Sequence, residues 1–396
     1  MCGRLNKSLY GTRDAACNWE AKYTSVMHAG GFTSGIWNPC IFTHRTRDLR
    51  CYVHGYDFIA VGSNVDLQWF SSYMKSEFDI KDRGTLGDAQ NHVQEIRCLN
   101  RLIRWCVSSE TGRPYIEYEP DNRHAEIVVS QLGLNRTHGS AKQITTPGVK
   151  QSGFNDSEKL DPQMSSLFRS VSMRINSLAM DRAELQFAGK EAARGMANPT
   201  AADLEKIKRI GRYLKHCPRS CQQFHMQPPP SFCDVYVDSD HAGCLGTRKS
   251  TNGGVQFHGR HCIRSYSSTQ TVLALSSGES EFYSIVKGIS TCLGFKAMAK
   301  DFGVDLQCRL FTDSSSAKAI ATRRGVGKIR HLHTQSLWVQ QKVLERETTV
   351  HKVPGTENPS DVGTKHLDQA SMWKCLGKIG QIALAGQSQL SLKAAS

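Results

Sequence analysis

The stretch that decides the fold is CDVYVDSDHAGCLGTRKSTNGG, Cys233 to Gly254. Val235 and Val237 alternate with Tyr236 and Asp238, the two-residue period of a half-buried strand. The strand ends in two carboxylates, Asp238 and Asp240, and then runs into a basic turn rich in Gly, Ser and Thr. A carboxylate at a strand end is held rigidly above the sheet. Acidic groups crowded there repel one another unless a cation neutralises them. A lone DxD more often marks a solvated strand end, so the weight falls on the residues downstream.

Three further stretches supply it. LALSSGESEFYSIVKGIS, Leu273 to Ser290, reads as a short apolar run, a Ser-Ser helix start and a helix. Glu281, Ser284, Ile285 and Gly288 fall at i, i+3, i+4 and i+7, so Glu281 lies beside the inward-packing side. CRLFTDSSSAKAIA, Cys308 to Ala321, reads as an apolar strand with Asp313 at its end and Ser314 to Ser316 capping a helix. NPSDVGTKHL, Asn358 to Leu367, places Asp361 in a turn or helix begun by Pro and Ser. Carboxylates thus recur as strand end, helix, strand end, helix.

DSDHAGCLGTRKST, LSSGESEFYS, FTDSSSA and NPSDVGTKHL together resemble the ribonuclease H domain of copia-type retrotransposon Pol polyproteins. That resemblance implies an α/β fold in which four acidic positions hold magnesium, with manganese as the alternative. Here they fall on Asp238, Glu281, Asp313 and Asp361, with Asp240 and Glu279 accessory. It further implies cleavage of the RNA strand of RNA–DNA hybrids. Contacts to 2′-hydroxyls would come from the Glu281 helix.

An earlier stretch carries a second part of the same resemblance. KSLYGTRDAACNW and YVHGYDFIAVG are similar to a substrate-side helix motif and to the polymerase hairpin of the reverse transcriptase palm. In the family that hairpin bears two adjacent metal-binding aspartates. Here Tyr56 stands in the first position and only Asp57 remains. A phenol of pKa about 10 does not replace a carboxylate at neutral pH. The fingers and the earlier palm strand, with another aspartate, would lie before Met1. Loss of polymerase activity is therefore expected, and the preceding part of the polyprotein is an expected partner.

Between these motifs, Leu102 to Val107 and PYIEYEP alternate as paired strands, and His124 to Leu134 reads as a short helix. TTPGVKQSGFNDSE, Thr145 to Glu158, reads as a loop. Residues 160–230 read as all-helical. Leu167, Val171, Ile175, Leu178 and Leu185 form one apolar face, and Leu204, Ile207, Ile210 and Leu214 another. Gln222 to Ser231, with three prolines, reads as a stiff spacer, and the stretch beyond Leu367 as a frayed tail. The expected organisation is α/β: an α+β palm remnant (1–145), a helical connection (146–230), a mixed-sheet ribonuclease H-like domain (231–367) and a tail (368–396).

The chain's 396 residues carry 50 Lys and Arg against 36 Asp and Glu, a net charge of +14 that favours a nucleic acid backbone as partner. One run is basic on its own: Lys318, Arg323, Arg324, Lys328, Arg330 and Lys342, with no acid between. Arg323, Arg324, Lys328 and Arg330 sit in or beside a Gly-rich loop suited to phosphates. His216, Cys217, Cys221, His225 and Cys233 form no CxxC and fit no standard zinc spacing. With no apolar signal core, no spanning segment and 14 scattered cysteines, an intracellular location (cytoplasmic or nuclear) without membrane contact is expected. The competing reading from another class is a catalytically inactive, nucleic-acid-binding remnant. An integrase or resolvase would share the metal logic but lack the SSGESEF helix motif.

Overall fold

The computed structural model of the chain describes residues 8–9, 11–136, 144–150, 157–327, 329–332 and 334–385. It divides into two compact units. One comprises residues 1–85 with 294–306, and the other 86–293 with 307–396.

In the first unit, helix α1 (Ala15–Ala29) precedes four strands, β1 (Phe32–Ser34), β2 (Ile41–His44), β3 (Leu49–His54) and β4 (Asp57–Gly62), and then α2 (Asn64–Glu77). The strands pair in sequence order, all antiparallel. Leu49, Cys51 and Val53 alternate inward along β3 and pack with Met27 of α1 and with Phe70 and Met74 of α2. Gly55, at φ +59°, lets the β3–β4 hairpin turn tightly, as the sequence pattern predicts. Residues 294–306 contribute Asp301, whose carboxylate accepts the Ile36 and Asn38 amides at 2.8 Å each.

The second unit holds two five-stranded sheets. Strands β5 (Glu95–Cys98), β6 (Arg101–Val107) and β7 (Pro114–Glu119) lead to four helices, α3 (Arg123–Gln131), α4 (Pro162–Ala179), α5 (Ala183–Ala193) and α6 (Ala201–His216). Asp161 caps α4 ahead of Pro162, and a Thr200–Asp203 capping box starts α6. Strand β8 (Arg219–His225) comes next, then β9 (Phe232–Asp240), β10 (Thr251–His258), β11 (His261–Thr269) and the long helix α7 (Ser277–Asp301), whose residues from 294 on belong to the first unit. Strand β12 (Gln307–Thr312), helices α8 (Ser315–Thr322) and α9 (Trp338–Leu344), strand β13 (Thr348–Lys352), α10 (Gln369–Lys378) and β14 (Gln381–Leu384) complete it. One sheet, β11-β10-β9-β12-β13, is mixed: antiparallel across β11, β10 and β9, parallel across β9, β12 and β13. The other, β14-β8-β7-β6-β5, is antiparallel throughout. This is the expected α/β class.

Two local expectations are corrected. Residues 160–230 are not all helical, because Arg219–His225 forms β8 between β7 and β14, so the proline-rich spacer begins only after it. The stretch after Leu367 is not frayed throughout. Helix α10 buries Met372 and Leu376, and β14 pairs along β8. The helical segment is also more than a connection. Phe168, Val171, Ile175, Ile207 and Leu214 share one core with Val255 of β10, Cys262 of β11 and Leu376 of α10. That shared burial, rather than a flexible joint, sets the helices against the mixed sheet.

Candidate active site

The carboxylates are placed by elements whose local sequence dictates their direction. Val235 and Val237 are fully buried along β9, and the strand carries Asp238 to its end with 5% exposure. Ser276 caps α7 by accepting the Glu279 amide at 3.2 Å, which starts the helix just before Glu281. Gly288 lets α7 lie close on the sheet. A Cβ there would sit 2.6 Å from Val237 Cγ1 and 2.9 Å from Leu310 Cδ1. Glu281, seven residues earlier on the same face, is thereby brought over Asp238. Asp313 directly succeeds β12, where Ser314 caps α8 by accepting the Ala317 amide at 3.2 Å. Asn358 fixes the 3-10 turn Pro359–Gly363 that carries Asp361, and its side-chain amide donates to the Val237 carbonyl at 2.9 Å.

Carboxylate oxygens of Asp238, Glu281 and Asp313 all lie within 4.8 Å of one another. Asp361 joins them through Lys365, whose ammonium is 2.8 Å from Asp361 and 3.8 Å from Asp238. The Thr364 hydroxyl donates to Asp238, and the Ser239 amide donates to Glu281 at 3.3 Å. Glu281 Oε2 is buried without a hydrogen-bond partner among the described residues. Burial, and then the charges of Asp238 and Asp313, push the Glu281 carboxyl up to about 9. Burial also raises Asp361, to about 6, with Lys365 opposing the shift and Asp238 adding to it. Asp313 is raised by burial and by Asp238. Four acids against one half-exposed lysine, with one carboxylate oxygen orphaned, form an oxygen-rich cradle that fits a hard divalent cation.

The sequence motifs single out the four acids but not Lys365 and Thr364. Their signal was available: Lys365 falls four residues after Asp361, the spacing of a helical ion pair. Asp240 and Glu279, expected as accessories, are held apart from the cluster. Asp240 accepts the Thr251 amide. Glu279 accepts from Tyr283 at 3.1 Å and pairs with His331 at 2.9 Å. Among the described residues no other group of three potential metal ligands converges.

In the basic loop, Arg324 and Arg330 are exposed. Arg323 turns back to donate to the Val326 carbonyl, and Gln340 braces the loop through the amide and carbonyl of Gly325 at 2.8 and 3.0 Å. Lys328 and His333 lie outside the described residues. In the first unit, Tyr56 is exposed at the hairpin tip with its ring 5.3 Å from that of Trp19, and Asp57 opens β4 opposite His54. Among the described residues no helix is long and apolar enough to cross a membrane.

The fold is mixed α/β, with a clustered carboxylate centre in the second unit. Over nearly its whole length the chain is similar to retrovirus-related Pol polyproteins of transposons, as the sequence motifs implied. It is 24% identical over 395 residues to the one from transposon TNT 1-94 of Nicotiana tabacum, covering 96% of this chain and 28% of the relative. It is 22% identical over 387 residues to that from transposon RE1 of Arabidopsis thaliana, covering 95% of this chain and 25% of the relative. The chain thus spans about a quarter of the length of these relatives. No protein-family profile matches it. A solved structure of the foamy viral protease-reverse transcriptase in complex with RNA/DNA hybrid aligns with 91% of this chain and 40% of its own, at 11% identity and a TM-score of 0.44.

Proposed function

We propose that the second unit is a ribonuclease H-type endonuclease that hydrolyses the RNA strand of RNA–DNA hybrids, and that the first unit no longer supports polymerisation. The observation that carries this reading is the convergence of Asp238, Glu281 and Asp313 within 4.8 Å, with Asp361 joined to them by Lys365. These four carboxylates would hold magnesium, or manganese, which would make a bound water a nucleophile at neutral pH and neutralise charge building on the leaving oxygen.

The chain's own residues do the positioning. Thr364 and Ser284 hold Asp238 from two sides, the first through its carboxylate and the second through its carbonyl at 3.0 Å. Lys365 keeps Asp361 beside Asp238 despite their like charge, and the fixed β9 and β12 ends spare the site any reorganisation. In the overall step water adds to phosphorus, the bond to the 3′ oxygen breaks, and that oxygen leaves as a hydroxyl. Arg324 and Arg330 are exposed cations available to the phosphate backbone.

Asp238→Asn in the full chain tests the assignment. Cleavage of a labelled hybrid should vanish while hybrid binding persists, and a variant that still cuts would remove the four-carboxylate assignment. For the first unit, Tyr56 beside Asp57 leaves a single carboxylate at the hairpin, too few to space two metal ions. Primer extension on a primed template is expected to yield no product, and product would overturn that half of the reading.

A further inference from the structure

Gln270 directly follows β11 and is buried against the first turns of α7. Its side-chain amide donates to the Asn252 side-chain oxygen at 2.7 Å and to the Ser280 carbonyl at 2.8 Å. A carbonyl only accepts, so Ser280 fixes which way the Gln270 amide points, and Gln270 in turn fixes the amide of Asn252. The Ser284 hydroxyl stands between that same Asn252 oxygen at 2.7 Å and the Asp238 carbonyl at 3.0 Å. The Ser280 hydroxyl donates to the Asp240 carbonyl at 3.1 Å. Asn252, Gln270, Ser280 and Ser284 are all buried.

These contacts join β9, β10 and β11 to α7 at the level where the carboxylates meet. On α7, Ser280 and Ser284 lie one residue before and three residues after Glu281. On β9, the carbonyls they meet belong to Asp238 and Asp240, and the Ser239 amide between them donates to Glu281 at 3.3 Å. Apolar packing at Gly288 sets how closely α7 lies on the sheet, but such packing is non-directional and does not fix the helix's rotation. Hydrogen bonds between buried groups do fix it, since any rotation leaves a donor or acceptor unpaired. Glu281 needs this restraint, because burial and the charges of Asp238 and Asp313 all oppose its ionised form.

We infer that Gln270 and Asn252 are positioning residues for the cation site. Through Ser280 and Ser284 they hold Glu281 over Asp238, so that magnesium affinity depends on them although neither belongs to the carboxylate cluster. The inference rests on the cation-holding reading of that cluster.

The test is thermal unfolding of the full chain, without hybrid, in EDTA and over a magnesium series, followed by cleavage kinetics at saturating magnesium. Gln270→Met keeps the bulk of the side chain and removes its amide. Its magnesium midpoint should rise about tenfold or more, the usual effect of losing a group that orients a metal ligand. Its kcat should fall while KM for the hybrid stays nearly constant. Ser284→Ala removes a single hydroxyl and should move the midpoint in the same direction, and it carries the test if Gln270→Met does not fold. Gln256→Met is the control for loosened packing. Gln256 is equally buried and also ties β10 to its neighbours, donating to Cys233 Sγ at 3.1 Å and to the Thr291 carbonyl of α7 at 3.4 Å, ten residues beyond Glu281. Its loss should lower the Tm in EDTA and leave the magnesium midpoint in place. A wild-type chain stabilised by magnesium, with Gln270→Met and Ser284→Ala at an unchanged midpoint, would overturn the positioning role and leave the carboxylate site standing. An equal shift in Gln256→Met would also overturn it, by reducing the effect to general loosening. A wild-type chain whose Tm ignores magnesium would overturn the cation site itself.

Discussion

At the scale of single residues the molecule is governed by Glu281. Burial and two neighbouring carboxylates hold its pKa at about 9, so the cation-free folded chain keeps a proton that the unfolded chain releases above its ordinary value near 4.3. The folded state binds more protons in that window, so stability falls as pH rises through it and the loss is complete only above the folded pKa. Neither His366 nor Glu119 masks this above neutrality. Burial pushes His366 down to about 4, and its contribution is complete above the ordinary histidine value. Glu119 is disfavoured by burial yet held low by Arg219, Arg104 and Asn122, so its stabilisation is lost only in acid. In EDTA the Tm should therefore drop between about pH 7 and about pH 8.5, and magnesium should flatten the decline by stabilising the ionised carboxylate. A pH-independent Tm in EDTA would contradict the crowding of charge at Glu281.

At the scale of elements, the contact between α7 and the mixed sheet decides whether the site exists. Gly288 permits it, since any Cβ there would press into Val237 and Leu310 at 2.6 and 2.9 Å. Gly288→Ala should cost about 1–3 kcal/mol in urea unfolding through overpacking. It should also lower hybrid cleavage, because the helix that carries Glu281 must shift. Unchanged stability and activity would show that α7 does not rest on the sheet at that point. This element was legible beforehand: the i, i+3, i+4, i+7 spacing of Glu281, Ser284, Ile285 and Gly288 marked its inward face.

Strand β10 was not legible, and the reason is physical. Its TNGGVQFH carries two glycines that signal a turn, yet they lie in a strand because neighbours come too close for a side chain. Gly254 lies against the Tyr266 ring, and Gly253 against Thr364 and the Ser360 carbonyl. Strands β8 and β14 were hidden differently. Strand β8 is largely polar and β14 only four residues long, and only pairing between segments far apart in sequence makes them strands. Gln381 of β14 is buried by donating to Ser220 of β8 at 2.9 Å.

At the scale of the whole molecule, charge, motifs and α/β class could all be read from the sequence, because each is a local property. The burial of the helical segment in one core with β10, β11 and α10 could not, since it joins residues far apart in the chain. The net charge of +14 suits a protein that meets polyanions. In the proposed function the four carboxylates of the second unit form a working, cation-dependent hydrolytic site.

The measurement that tests it most directly is incubation of the full chain with an RNA–DNA hybrid labelled on each strand, with magnesium and then with EDTA. Cutting of the RNA strand alone, present with magnesium and abolished by EDTA, is the predicted result. An uncut hybrid that is nonetheless bound in a salt-sensitive way would contradict it and mark the carboxylate cluster as a catalytically silent feature of a nucleic-acid-binding protein.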